Sequence, residues 1–289
     1  MTIDAWKQSG IFRTVAGYQL FTKVENHDAP PLVLLHGFPT ASWDWHKIWP
    51  DLQQDFRLIT FDYLGFGFSE KPWPHAYQVV EQADLCEALL RQLNINSYHL
   101  LAHDYGNSVA QELMARQQAS YSGPLLKTVC FLNGGLFPEA HHPRPVQKLL
   151  AGPLGPLVVS FMSKQTLARS FRRIFGPQTQ PTPTEIDQFW QLIRYNHGKR
   201  CIPGLMQYME ERRQQRERWV PPLLDSLIPV RLIDGPEDPV SGRHLGEHFL
   251  NLNPSADIVY INGVGHYPQV EAPAEVVRHL RDFHGLSPT

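Results

Sequence analysis

Six short runs of the chain are apolar at nearly every position, and each ends where glycine, aspartate or asparagine gathers. They are "PLVLLHG" (31–37), "RLITFD" (57–62), "YHLLAHD" (98–104), "TVCFLNG" (128–134), "VRLIDG" (230–235) and "DIVYING" (257–263). A strand of this kind, apolar on both faces, must be covered on both sides, and a parallel sheet sandwiched by helices does that. Helical patterns lie between the runs. In "YQVVEQADLCEALLRQL" (77–93), Val79, Ala83, Cys86, Leu90 and Leu93 recur at three- and four-residue steps and form one apolar face. Ahead of the first run, "GIFRTVAGYQLFTKVE" alternates about Ala16-Gly17, which predicts an antiparallel hairpin at the sheet edge. The expected fold class is α/β, a mostly parallel, doubly wound, eight-stranded sheet with right-handed crossovers.

The alternation stops between about Phe137 and Pro222, a stretch rich in proline and arginine with no convincing strand. "KQTLARSFRRIF" puts Leu167, Phe171, Ile174 and Phe175 on one helical face, and "IDQFWQLIRY" and "GLMQYMEERRQQRERW" read as two further helices. Strands resume at Val230. The expected organisation is a core over 1–136, an inserted helical lid over 137–222, and the rest of the core over 223–289, without an internal repeat. With 289 residues the chain is long enough for one large core plus such an insert.

Composition narrows the function classes. A formal net charge of −2 offers no electrostatic reason to expect nucleic acid as a partner. Cys86, Cys130 and Cys201 are odd in number and far apart, without a CxxC pair or zinc-ligand spacing, so they read as reduced packing thiols and predict no metal. The first residues, "MTIDAWKQSGIFRTVAG", lack the basic-then-apolar profile of a signal peptide, and there is no run of about eighteen apolar residues. A cytoplasmic protein is the expectation.

Four local signals fall at strand ends, where open α/β sheets build their sites. Ala102-His103-Asp104-Tyr105-Gly106 has the form small-x-nucleophile-x-Gly; the small residues permit a tight strand-to-helix turn that exposes its apex. "HGFP" (36–39) can aim the Phe38 N–H at the same point as the Tyr105 N–H, as an oxyanion hole. "GPEDPV" puts Asp238 just past a strand, and "GVGHYPQ" puts His266 in the loop after the last one. Singly these have plain explanations: Asp104 as a helix N-cap, Asp238 as a turn former before proline, His266 as one of fourteen histidines. The order nucleophile, acid, histidine in the right strand context favours a catalytic set.

These residues resemble the α/β-hydrolase superfamily in its aspartate-nucleophile branch, the epoxide hydrolases and haloalkane dehalogenases. More specifically, "HGFPTASWDWHKIW", "FDYLGFGFSEKPWPHAY", "HDYGNSVAQEL", "LNGGLFPE" and "GPEDPV…GHYPQVE" resemble the mesoderm-specific transcript family, over nearly the whole chain. The resemblance implies the α/β-hydrolase fold, the lid, the triad Asp104, Asp238 and His266, and no cofactor. It also suggests a cis bond before Pro39.

A carboxylate is already anionic near neutral pH and suits displacement at a saturated carbon rather than attack on an ester carbonyl. The product would be an alkyl ester of Asp104, hydrolysed by water that His266 activates while Asp238 orients it. An opening epoxide needs a proton donor, typically lid tyrosines in the families resembled; a departing halide needs N–H donors. Dehalogenases usually carry tryptophan after the nucleophile and often asparagine after His-Gly, where this chain has Tyr105 and Phe38. The expectation is therefore an epoxide hydrolase-like enzyme acting on a small or medium apolar substrate. Haloalkane dehalogenase and a non-catalytic ligand-binding protein are the alternatives. Leaving-group candidates are Tyr208, then Tyr195, Asn133 and Trp190, each with a packing or turn role as its alternative, and Trp219 more readily as packing. The Glu/Arg interleaving of "EERRQQRERW" (210–219) reads as a solvated face; together with "ARSFRRIF" it leaves open a lid resting on anionic lipid.

Overall fold

The computed structural model describes residues 1–119, 123–152 and 154–286. These form one sheet of eight strands: β1 (Ile11–Val15), β2 (Tyr18–Val24), β3 (Pro31–Leu35), β4 (Arg57–Phe61), β5 (Ser97–Ala102), β6 (Leu125–Phe131), β7 (Val230–Asp234) and β8 (Asp257–Tyr260). Their spatial order is β1-β2-β4-β3-β5-β6-β7-β8. β1 and β2 pair antiparallel across Ala16-Gly17, both at positive φ (48° and 92°), the backbone a two-residue hairpin of this twist demands. β2 meets β4 antiparallel, and from β4 to β8 all pairings are parallel.

From β3 the chain crosses to β4 on one side and later returns to β5 on the other. The crevice beyond the ends of β3 and β5 is thus the topological switch point, where such sheets hold ligands. Leu35 pairs with Ala102, so the segments His36–Phe38 and His103–Asp104 leave the sheet side by side.

Helices cover both faces because the strands are apolar on both. In the helix Val79–Gln92, the residues Val79, Ala83, Cys86 and Leu90 are buried on the predicted face. All three cysteines are free and buried. Between β6 and β7 the chain is helical, forming the inserted lid: Pro145–Ala151, Gly155–Ser160, Lys164–Phe171, Pro183–Arg194 and shorter pieces to Leu224. Thr182 caps Pro183–Arg194 reciprocally with Glu185. Leu167 and Phe171 are buried on the predicted face of Lys164–Phe171, but that helix ends at Phe171, and Ile174 and Phe175 are buried from the turn beyond it rather than on a continued helical face. The single helix expected over 204–219 is instead three short ones, Ile202–Leu205, Tyr208–Gln214 and Arg216–Trp219. That segment wraps round its neighbours: Glu211 accepts from the Val79 N–H, Arg212 Nη1 donates to the Gly135 carbonyl, and Arg218 and Trp219 both reach Glu112. One straight helix cannot serve contacts in such different directions. Among the described residues no helix is long and apolar enough to cross a membrane.

Candidate active site

The site begins with a turn. β5 ends at Ala102, and the helix Tyr105–Gln118 starts three residues later. Asp104, between them, adopts φ 50° and ψ −106°, a conformation an L-residue keeps only when its surroundings impose it. Close packing imposes it here. A Cβ on Gly106 would lie 2.3 Å from the Leu35 carbonyl oxygen, and one on Gly134 would lie 2.7 Å from the Asp104 Cα. The backbone is pinned as well: the Asp104 N–H donates to the Asn133 carbonyl at 2.9 Å and the Gly106 N–H to that of His36 at 3.1 Å.

The buried carboxylate of Asp104 is held by both oxygens. Oδ1 accepts from the Phe38 N–H at 2.8 Å, and Oδ2 lies 3.4 Å from His266 Nε2. His266 Nδ1 is 2.6 Å from Asp238 Oδ2. Asp238 is fixed in turn by the Val240 N–H on Oδ1 (2.8 Å) and by the Ser241 N–H and hydroxyl on Oδ2 (3.1 and 2.8 Å). The three residues thus form a connected line, Asp104–His266–Asp238, behind the switch point.

Electrostatics follow from this line. Burial pushes the Asp104 carboxyl up, but the His266 hydrogen bond and charge, with the Phe38 N–H, outweigh it and leave Asp104 well below the usual carboxylate range. Asp238 is likewise lowered: burial raises it, and the charge and hydrogen bond of His266 with its N–H donors win. Burial depresses His266, yet the two flanking carboxylates raise it well above an ordinary imidazole. His103 beside them is pushed down to about 3 by burial and by the charge of His266, and its Nε2 is 2.8 Å from the His266 carbonyl. It is a neutral prop for the histidine loop.

A cavity of about 470 Å³ opens onto Asp104 and His266, walled by apolar side chains such as Phe38, Leu167, Phe171, Ile174 and Val240. Tyr267 also lines it, packed against His266 and His103 at ring-centroid distances of 5.3 and 4.8 Å. Sequence reasoning missed Tyr267, although its position directly after the histidine was a signal that could have found it.

The remaining expected site residues divide. Phe38 donates to Asp104, whereas the Tyr105 N–H makes no hydrogen bond to the carboxylate; as the first residue of a helix its N–H has no partner within the helix. Tyr208 is fully buried with its hydroxyl unpartnered and its ring 6.2 Å from Phe38 and 5.1 Å from Tyr105, the residues on either side of Asp104, rather than lining the cavity. Tyr195 stands elsewhere: its hydroxyl accepts from Lys7 Nζ at 3.1 Å, and it shares a separate hollow with Trp190. Trp219 donates to Glu112. Asn133 faces away from the cavity, donating to Asp234 Oδ1 at 2.7 Å and to Asp238 Oδ2 at 3.3 Å. Tyr195, Trp190 and Asn133 are thus corrected as leaving-group candidates, because packing and hydrogen bonds direct them away from Asp104. Two buried groups near the site also had no sequence signal. Arg212 has its Nε unpartnered and its guanidinium 4.9 Å over the Tyr208 ring, and neither ring nitrogen of His141 has a partner. Among the described residues no group of three or more His, Cys, Asp or Glu is placed to hold a metal ion.

Residues 32–279 match the family model described as "Alpha/beta hydrolase family". The mesoderm-specific transcript homolog protein of Bos taurus is 43% identical over 282 residues, which cover 94% of this chain and 84% of that protein. Among solved structures, haloalkane dehalogenase DbeA from Bradyrhizobium elkani USDA94 matches with a TM-score of 0.79 at 22% identity, covering 96% of this chain and 98% of that one. Epoxide hydrolase CorEH matches with a TM-score of 0.77 at 20% identity, over 96% and 98%. At such identities the likeness is one of fold.

Proposed function

Because this chain belongs to the α/β-hydrolase family, in the group of the mesoderm-specific transcript proteins, we propose that Asp104 serves it as a carbon nucleophile in epoxide hydrolysis on an apolar substrate. The observation that carries this reading is the divided Asp104 carboxylate at the base of an apolar cavity, with one oxygen on the Phe38 N–H and the other facing His266. Oδ2 attacks an epoxide carbon, the C–O bond of the ring breaks, and its oxygen takes a proton from a tyrosine. Asp104 is then a neutral ester, so His266 loses one of the two anions that held its proton, gives that proton up to restore the tyrosine, and becomes a base sustained by Asp238 alone. It takes a proton from water, whose oxygen adds to Asp104 Cγ. The Phe38 N–H stabilises the negative charge that develops on Oδ1. Collapse breaks the Cγ–Oδ2 bond, His266 returns the proton to the departing alkoxide to release the diol, and the Asp104 carboxylic acid passes its proton to His266, which restores the starting state.

An epoxide is favoured over a halide by the donors at hand. Among the described residues no tryptophan lines the cavity, so no indole N–H faces a departing halide there. The donors close to Asp104 are tyrosines instead: Tyr267 lines the cavity, and Tyr208, packed beside Phe38 and Tyr105 behind its wall, has a buried hydroxyl without a partner. Burial and the Asp104 charge hold the Tyr208 phenol above the ordinary range.

The test is intact-mass analysis after exposure to a panel of terminal epoxides and haloalkanes. His266→Gln is expected to lose roughly 10²–10⁴-fold in turnover while gaining the mass of one epoxide on Asp104. Tyr208→Phe is expected to lose roughly 10²-fold on epoxides; unchanged turnover would transfer the donor role to Tyr267. A wild type inactive on the whole panel, with an unmodified His266→Gln, contradicts the proposal.

A further inference from the structure

Positions 140–184 contain no aspartate or glutamate, yet they hold Arg144, Lys148, Lys164, Arg169, Arg172 and Arg173. Only Lys164 has an acidic partner, Asp187 at 2.7 Å; the other five make no ion pair among the described residues. The run that looked basic in sequence, 210–219, is by contrast neutralised: Arg213 pairs with Glu210, Arg216 with Glu139 and Arg218 with Glu112, while Arg212 is buried.

The same unneutralised stretch turns apolar side chains outward. Leu150 is the buried side chain of Pro145–Ala151, and Val159 that of Gly155–Ser160. Val146, Leu149, Leu154, Leu157 and Phe161 are exposed, Phe161 to 75%. Large exposed apolar side chains gathered in one short segment mark an interaction surface. Arg144, Val146, Phe161, Arg169 and Arg173 also line the cavity that reaches Asp104, so its mouth opens within this face.

Charge selects the occupant. A second copy docking through the same face would set cations against cations, which an isologous contact cannot avoid. A surface that accepts apolar side chains and supplies anions without acidic residues of its own is a lipid bilayer with anionic headgroups. We propose that this face of the lid docks on anionic membranes. Leu154, Leu157 and Phe161 enter the acyl region, Arg144, Lys148, Arg169, Arg172 and Arg173 meet the headgroups, and the cavity mouth faces the bilayer. Apolar substrates then reach Asp104 from the membrane, a step that rests on the catalytic reading; the docking itself does not.

The test is co-sedimentation of the full chain with vesicles of phosphatidylcholine alone and of phosphatidylcholine and phosphatidylglycerol in equal parts, at low and high salt. Wild type is expected to bind the mixed vesicles at least about tenfold more tightly, with the difference falling at high salt. Leu154→Glu with Leu157→Glu, both exposed positions, is expected to weaken binding by about tenfold or more with an unchanged circular-dichroism spectrum. Leu227→Glu, exposed but outside this face, should bind as wild type. Asp104→Asn should also bind as wild type, which separates docking from catalysis. Equal recovery with neutral vesicles, or a double variant that binds as wild type, overturns the proposal. So does a wild-type dimer in sedimentation that the double variant abolishes while neither protein binds vesicles, which would assign the face to a second copy.

Discussion

Asp104 carries two burdens, a left-handed backbone and a buried charge, and the same neighbours sustain both. Its carboxylate is tolerable in the interior because His266 and the Phe38 N–H meet its two oxygens. Such compensation makes stability depend on pH with a definite sign. Asp104 and Asp238 are lowered in the folded state, so their contribution is present above the unfolded carboxylate value and is lost as pH falls. His266 is raised, so its contribution is present below the unfolded imidazole value and is lost as pH rises through the folded one. The triad therefore stabilises most between about pH 4 and 6.5. Unfolding free energies of wild type and Asp104→Asn, measured by denaturant at stepped pH, are expected to differ most in wild type's favour within that window. A wild-type advantage that grows below pH 4 would contradict the assignment. Asp104, Asp238 and His266 were legible because motif and strand-end position mark them, and Tyr267 was marked by its place directly after the histidine; His141 and Arg212 were not, because residues far apart in the chain create their surroundings.

The elbow helix Tyr105–Gln118 is the element on which core and lid meet. Its buried Glu112 accepts from Arg116 Nε at 2.9 Å, Arg218 Nε at 2.8 Å and Trp219 Nε1 at 2.7 Å, tying the lid's last turns to the helix that follows Asp104. Burial raises the Glu112 carboxyl and these donors more than reverse it. Glu112→Gln keeps the shape but weakens charge-assisted bonds, at an expected loss of about 2 kcal/mol in unfolding free energy. Faster protease cleavage within 210–219 is the accompanying sign. Wild-type stability and wild-type cleavage rates would show that this carboxylate does not anchor the lid. Strands and the amphipathic helices Val79–Gln92, Lys164–Phe171 and Pro183–Arg194 were readable at this scale, since their apolar periods report which face is covered. The broken course of 202–219 was not, because its bends answer to Glu112, Gly135 and Val79, positions remote in sequence.

Over the whole molecule one core buries all three thiols, and burial pushes Cys86 and Cys130 above the ordinary thiol range. Native protein is expected to leave a thiol reagent such as Ellman's unreacted until denaturant is added, when three thiols per chain respond; reaction of the native chain would reveal an opening of the core. By itself the sequence determined the sheet, its antiparallel edge, the helical insert and the order of the catalytic triad, because each is written in local periodicity or in a turn that local residues must make. Only the tertiary structure decided which tyrosine lies near Asp104, that Asn133 supports Asp238 instead of facing the cavity, and which basic stretch of the lid keeps its charge. Those outcomes depend on where other segments place a partner, and a side chain's neighbours across the fold are a property of packing that no local pattern encodes.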